Sequence, residues 1–135
     1  MKKLFYTLIL LVILSGIVLV IFRGNGNARH PADGIYFGIL PGADSPGIET
    51  TLTISGKAYK LRTKYQKNVQ PNTFTVTGNI VYEGRGVIRL DGGTKAKETE
   101  YYKVLNKLEL LKLDSKAQVI NSAHNYILRR GLVWE

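Results

Sequence analysis

Tyr59-Lys60-Leu61-Arg62-Thr63-Lys64-Tyr65 alternates a neutral side chain with a cation at every step. Successive side chains of an extended strand point to opposite faces, so Tyr59, Leu61, Thr63 and Tyr65 share one surface and Lys60, Arg62 and Lys64 share the other. A slip of one residue would bury all three cations, which sets the register firmly. The segment is therefore read as a strand with an inward apolar face and an outward basic one.

The same period recurs on both sides. In the run Thr73 to Glu83, Phe74, Val76, Ile80 and Tyr82 share the face assigned to the core, while Thr73, Thr75, Thr77 and Asn79 face outward. Gly78 falls on the inner face and is read as a bend. Ile35 to Leu40, Glu49 to Ile54, Ala58 to Gln66, Val87 to Leu90, Glu100 to Val104, Lys107 to Leu113 and Asn125 to Arg130 are further β-rich runs between turn residues. Ser55-Gly56-Lys57 and Leu105-Asn106-Lys107 are hairpin-sized connections, and Gly84-Arg85-Gly86 and Asp91-Gly92-Gly93 supply glycines where φ must turn positive. No interior segment reads as helical. This regular spacing predicts an all-β fold, a small antiparallel meander closing into a barrel.

His30 to Glu135 is enough chain for one small domain with its own core and too little for two. Ahead of it, Lys2 and Lys3 precede Leu4 to Phe22, which carries no charge and, at about 1.5 Å per residue, matches the roughly 30 Å hydrocarbon layer. Val18 to Phe22 stays bulky up to Arg23, unlike the small-residue exit of a cleaved export signal. The expectation is an N-terminal transmembrane helix or signal-anchor over residues 1–23, with a cleaved signal as the alternative. Residues 24–33 then form a flexible tether, and 34–135 the barrel domain.

The full chain carries 19 basic and 10 acidic residues, a net +9. Without Lys2, Lys3, Arg23 and Arg29, 15 cations stand against the same 10 acids, leaving +5. Much of the excess lies in Lys57 to Lys67, so Lys60, Arg62, Lys64 and Lys67 make a basic face suited to an acidic partner or an anionic lipid surface. The plainer reading is that strand cations keep the surface soluble and the edges unpaired. Nucleic acid is disfavoured by the export signal and by aromatics that point inward rather than forming a stacking platform.

Catalysis finds little support. His30 sits beside the tether and His124 in a polar turn, too isolated in sequence for a triad or a metal site. Ser45 lacks a nucleophile-elbow context. Glu98 and Glu100 share a strand face, and neighbouring Lys95, Lys97 and Lys103 point to ordinary surface pairing. Tyr59, Tyr65, Tyr82, Tyr101, Tyr102 and Tyr126 are read as core and barrel-end residues, with a partly open, tyrosine-lined pocket as the alternative. No cofactor is expected.

Leu40-Pro41-Gly42-Ala43-Asp44-Ser45-Pro46-Gly47-Ile48-Glu49-Thr50 resembles the loop of NlpE-type envelope lipoproteins, which reads Leu-Pro-Cys-Ala-Asp-Cys-x-Gly-Ile. Tyr36-Phe37-Gly38 before it, Thr51 to Ile54 after it and Tyr101 to Val104 further on fit the same pattern, over roughly residues 34 to 130. Gly42 and Ser45 stand where the family has cysteines, and Gly78-Asn79-Ile80 where it commonly has a Gly-x-Trp signal. The resemblance implies a barrel related in shape to lipocalins and OB-like folds. It also implies a bacterial cell-envelope location, here inner-membrane anchored with the domain in the periplasm, or free in the periplasm if the signal is cleaved. With no cysteine, the lipid-attachment site is lost as well.

The expected function is that of a membrane-tethered, non-enzymatic domain acting through protein contacts, in envelope stress sensing or signalling. Its partner would be an envelope or inner-membrane protein, met through Pro41, Gly42, Ala43, Asp44, Ser45, Pro46 and Gly47 together with strand edges or the basic face. The alternative is a lipocalin-like carrier of a small apolar or amphipathic ligand; a packed interior would favour the first, and a mouth lined by Tyr and Phe the second. A copper or redox role is disfavoured, because glycine and serine neither bind soft metals nor cycle to a disulfide. Calorimetric titration of the soluble domain with Cu(I) or Cu(II) is expected to show no stoichiometric site; a tight one-to-one isotherm would refute this.

Overall fold

The alternation resolves into eight strands: β1 Gly34–Leu40, β2 Ile48–Ser55, β3 Ala58–Tyr65, β4 Thr73–Gly84, β5 Val87–Asp91, β6 Glu100–Val104, β7 Glu109–Lys112 and β8 Ile127–Arg130. Each pairs antiparallel with the next, and β8 returns to β1 to close the barrel. The computed structural model describes residues 2–12, 30–42, 46–66, 71–96 and 98–131.

Local chemistry sets the turns. Gly56, at φ +59, is the first of two residues joining β2 to β3, a position that requires positive φ in the turns matching strand twist. Its N–H donates to the Asp33 carboxylate at 2.9 Å, tying the chain just before β1 to this hairpin. On β3 the register is the one its cations demand: Tyr59 and Leu61 are buried, and Lys60 and Arg62 are exposed. Tyr36, Leu52, Ile54, Ile88, Tyr102, Leu110 and Leu128 are the most deeply buried side chains and fill one half of the barrel.

The expected N-terminal transmembrane or signal helix, Leu4 to Phe22, is not found among the described residues. Residues 2–12 are helical, and at about 1.5 Å per residue they reach only about half of the hydrocarbon thickness. Among the described residues no helix is long and apolar enough to cross a membrane. Anchoring in the inner membrane through such a helix is corrected with it. Residues 13–22 of the expected span, and most of the tether, lie outside the described residues.

Gly78 is a crossing point rather than a simple bend. A Cβ there would run into the Asp91 carbonyl oxygen, and the Gly92 Cα would lie 3.0 Å from the added Cβ. Buried phenols are the second constraint. Tyr36 donates to the Ala32 carbonyl at 2.7 Å and Tyr102 to Glu100 Oε2 at 2.9 Å. Burial, chiefly, raises the pKa of both above the ordinary tyrosine value, Tyr102 by much more, with the Glu100 carboxylate adding to its shift.

Gly78→Ala is expected to cost about 1–3 kcal/mol, because backbone rather than a mobile side chain blocks the added methyl; a urea midpoint equal to that of the parent chain would disprove this. The phenols give a pH dependence. Their folded pKa values lie above the unfolded value near 10, so the stability they contribute is intact below about pH 10 and falls as pH rises beyond it. Urea midpoints from pH 8 to 11 should fall at the alkaline end, and Tyr102→Phe should flatten that fall.

Candidate functional site

The cavity follows from unequal strand lengths. β4 has twelve residues and β5 five. β5 pairs with β4 only from Asn79 to Gly84, so residues 73–78 have no ladder partner on that side. After Asp91 the chain leaves the sheet over Gly78, makes a 3-10 turn at Gly93–Lys95 and re-enters as β6 at Glu100. The gap opens a cavity of about 580 Å³ into the barrel mouth.

Its walls are Tyr59, Leu61, Tyr65, Phe74, Val76 and Leu90, with Glu98 and Glu100 at one side. Tyr65 and Phe74 meet edge to face, ring centroids 5.8 Å apart. Phe74 faces inward, as its alternation predicts, yet stays 40% exposed because the mouth is open there. The interior is thus packed in one half and open in the other.

Glu100 does not join the surface pairing expected for it. Its position puts it on the same face as Tyr102 and Val104, and Oε2 accepts from the Tyr102 hydroxyl and takes Lys112 Nζ at 3.1 Å. The Lys112 ammonium also lies 5.1 Å from the centre of the Tyr102 ring. Sequence reasoning missed this inward-facing Lys112, although its register with Tyr102, two positions from Leu110, carries the signal. Glu98 lines the cavity.

The expected contact loop is described in part. Pro41 and Gly42 are half-buried, Pro46 is exposed and Gly47 is buried; Ala43, Asp44 and Ser45 lie outside the described residues. On the basic face Lys60 and Arg62 are exposed and Lys64 is half-buried, and none of the three joins an ion pair among the described residues. Lys60 pairs across to Thr53 and Thr77 and Arg62 to Thr51 and Thr75, whereas Lys64 stands between Glu49 and Thr73. Lys67 is outside the described residues. His30 packs its ring edge against Tyr82 with centroids 4.2 Å apart, and His124 is exposed in its turn. Among the described residues no group of three or more His, Asp or Glu could hold a metal ion.

A further surface went unread in the sequence. Ile35, Phe37 and Ile39 alternate on the outer face of β1 and are 39%, 48% and 54% exposed. Ile39 lies against Gly47, so this stripe runs into the contact loop, and Phe37 pairs across to Arg129 of β8. β1 is apolar on both faces, which hides the outer set from any reading that takes hydrophobic residues as core.

Comparison with known proteins agrees with this architecture. The NlpE N-terminal domain family matches residues 36–123. A crystal structure of a Shewanella oneidensis protein assigned to the lipoproteins aligns with a TM-score of 0.61 and 30% identity, covering 73% of this chain and 87% of that one. The Cpx pathway activator NlpE of Escherichia coli aligns with a TM-score of 0.56 and 26% identity, covering 76% of this chain and 53% of the activator. A 17 kDa lipoprotein of Treponema pallidum is 37% identical over 59 residues, 42% of this chain and 38% of that protein. The chain therefore spans well under two thirds of the activator and of the Treponema protein. With the family match extending over most of the barrel, this chain belongs to the NlpE N-terminal domain family.

Proposed function

We propose that the domain is a non-enzymatic, envelope-associated module that acts through contacts with other envelope proteins, in stress sensing or signalling. The observation that carries this reading is the apolar stripe Ile35, Phe37 and Ile39, set on a rigid strand beside the Pro41 to Gly47 loop. Apolar side chains in a row on a sheet's outer face gain little from water and are recurrent features of protein contact sites. Arg129 beside Phe37 supplies a charge at the rim, where charge sets partner choice and encounter rate more than affinity. Similarity to a pathway activator and to lipoproteins supports the envelope setting. The open half of the barrel favours a second reading, the binding of a small ligand in its mouth.

A photoreactive residue at Phe37 or Ile39 should crosslink one recurrent envelope protein from both positions, and one at Lys60 should not. Phe37→Glu should reduce direct binding of that protein, once purified, by at least about tenfold while thermal unfolding stays unchanged. Capture that is equal at Phe37 and Lys60, or binding that survives the glutamate, would defeat the reading.

A further inference from the structure

The cavity between β4 and the β5–β6 connection presents three features together. Its walls combine the aromatic and aliphatic side chains of Tyr59, Leu61, Tyr65, Phe74, Val76 and Leu90 with the polar Thr63, Asn72 and Thr75. Its volume of about 580 Å³ lies within the usual span for small-molecule sites. Among the described residues its charged lining groups are the carboxylates Glu98 and Glu100.

Glu100 is held in place from behind. The Tyr102 hydroxyl and the Lys112 ammonium both engage Oε2, and Oε1 has no protein partner among the described residues. Lys112 fixes the carboxylate's direction and is not itself a lining residue. Tyr59 is only 5% exposed, it lines the cavity, and its hydroxyl has no protein hydrogen-bond partner among the described residues. Burial raises its pKa, and the Glu100 and Asp91 carboxylates raise it further, so it stays a neutral donor and acceptor in a field of negative sign.

Resting on the second reading above, we propose that the barrel mouth binds a small organic cation, an aromatic or short aliphatic body carrying one protonated amine. The apolar body lies between Phe74, Tyr65 and Val76, and the ammonium reaches Glu100 Oε1 with the Tyr59 hydroxyl as a second contact. Aromatic faces attract a cation as well as burying its carbon skeleton. A carboxylate ligand meets Glu98 and Glu100 with no cation among the described lining residues to offset them, and is rejected.

The test uses the full chain and three naphthalene probes of similar size: 1-naphthylmethylamine, 1-naphthalenemethanol and 1-naphthylacetate, followed by probe fluorescence at pH 7. The amine should bind at least about tenfold more tightly than the alcohol, and the acetate should not bind measurably. Glu100→Gln should reduce amine affinity about tenfold and leave the alcohol unchanged. Because Glu100→Gln also unpairs Lys112, Glu98→Gln serves as a variant at an exposed position and should weaken the amine alone. Phe74→Ala should weaken amine and alcohol together. Equal binding of all three probes, or amine binding insensitive to both glutamine variants, overturns the assignment of charge while leaving a small-ligand site. No binding of any probe overturns both the inference and the reading it rests on.

Discussion

The crossing of the Asp91 carbonyl over Gly78 is the constraint on which the open half of this barrel depends. A side chain at position 78 would keep the two backbones apart, and β5 would have no route out of the sheet at that level. Because it leaves there, β4 runs on for six residues, 73–78, with no partner on the β5 side. The connection then folds back across Val76 and Tyr59, with Gly92 again so close to both that no Cβ fits without a shift. Two glycines thus decide where the interior is closed and where it is accessible. The packed half is built on Tyr36, Leu52, Ile54, Ile88, Tyr102, Leu110 and Leu128.

Much of the fold was legible because outward cations and inward apolar residues alternate so strictly. Lys60, Arg62 and Lys64 leave β3 one register, and Thr73, Thr75 and Thr77 do the same for the start of β4. The sequence reading fails where polarity stops marking the face. Ile35, Phe37 and Ile39 are as apolar as the core residues between and beside them, so the strand is evident and its outer surface is not. Lys112 and Glu100 fail in the opposite sense: each is charged, each faces inward, and their pairing spans a strand connection that no local pattern reveals. The hydrophobic run after Lys3 misleads differently, because apolar length alone permits a span without requiring one, and no helix among the described residues is long enough to cross.

The two candidate surfaces make different demands on the same scaffold. The outer stripe of β1 needs a rigid strand and nothing beneath it except core, and Tyr36 and Leu40 provide that. The mouth needs a charged group held in one direction inside a half-open barrel. Lys112 and the Tyr102 hydroxyl supply it by occupying one oxygen of Glu100, which limits the rotation of the carboxylate. Charge-assisted hydrogen bonds of this kind are stronger than neutral ones, and partial enclosure strengthens them further.

Closure of the barrel has a kinetic side. Seven of its ladders join strands adjacent in sequence, and only the β1–β8 ladder joins the two ends of the domain. That seam pairs Tyr36 with Arg130 and Phe37 with Arg129, and it carries the largest loop-closure entropy of the barrel. Amide hydrogen exchange along β1 and β8 reads the opening of this seam. Phe37 belongs to it and also to the exposed stripe. A protein seated on the stripe clamps the seam, and by mass action its affinity and the exchange protection of β1 and β8 rise and fall together.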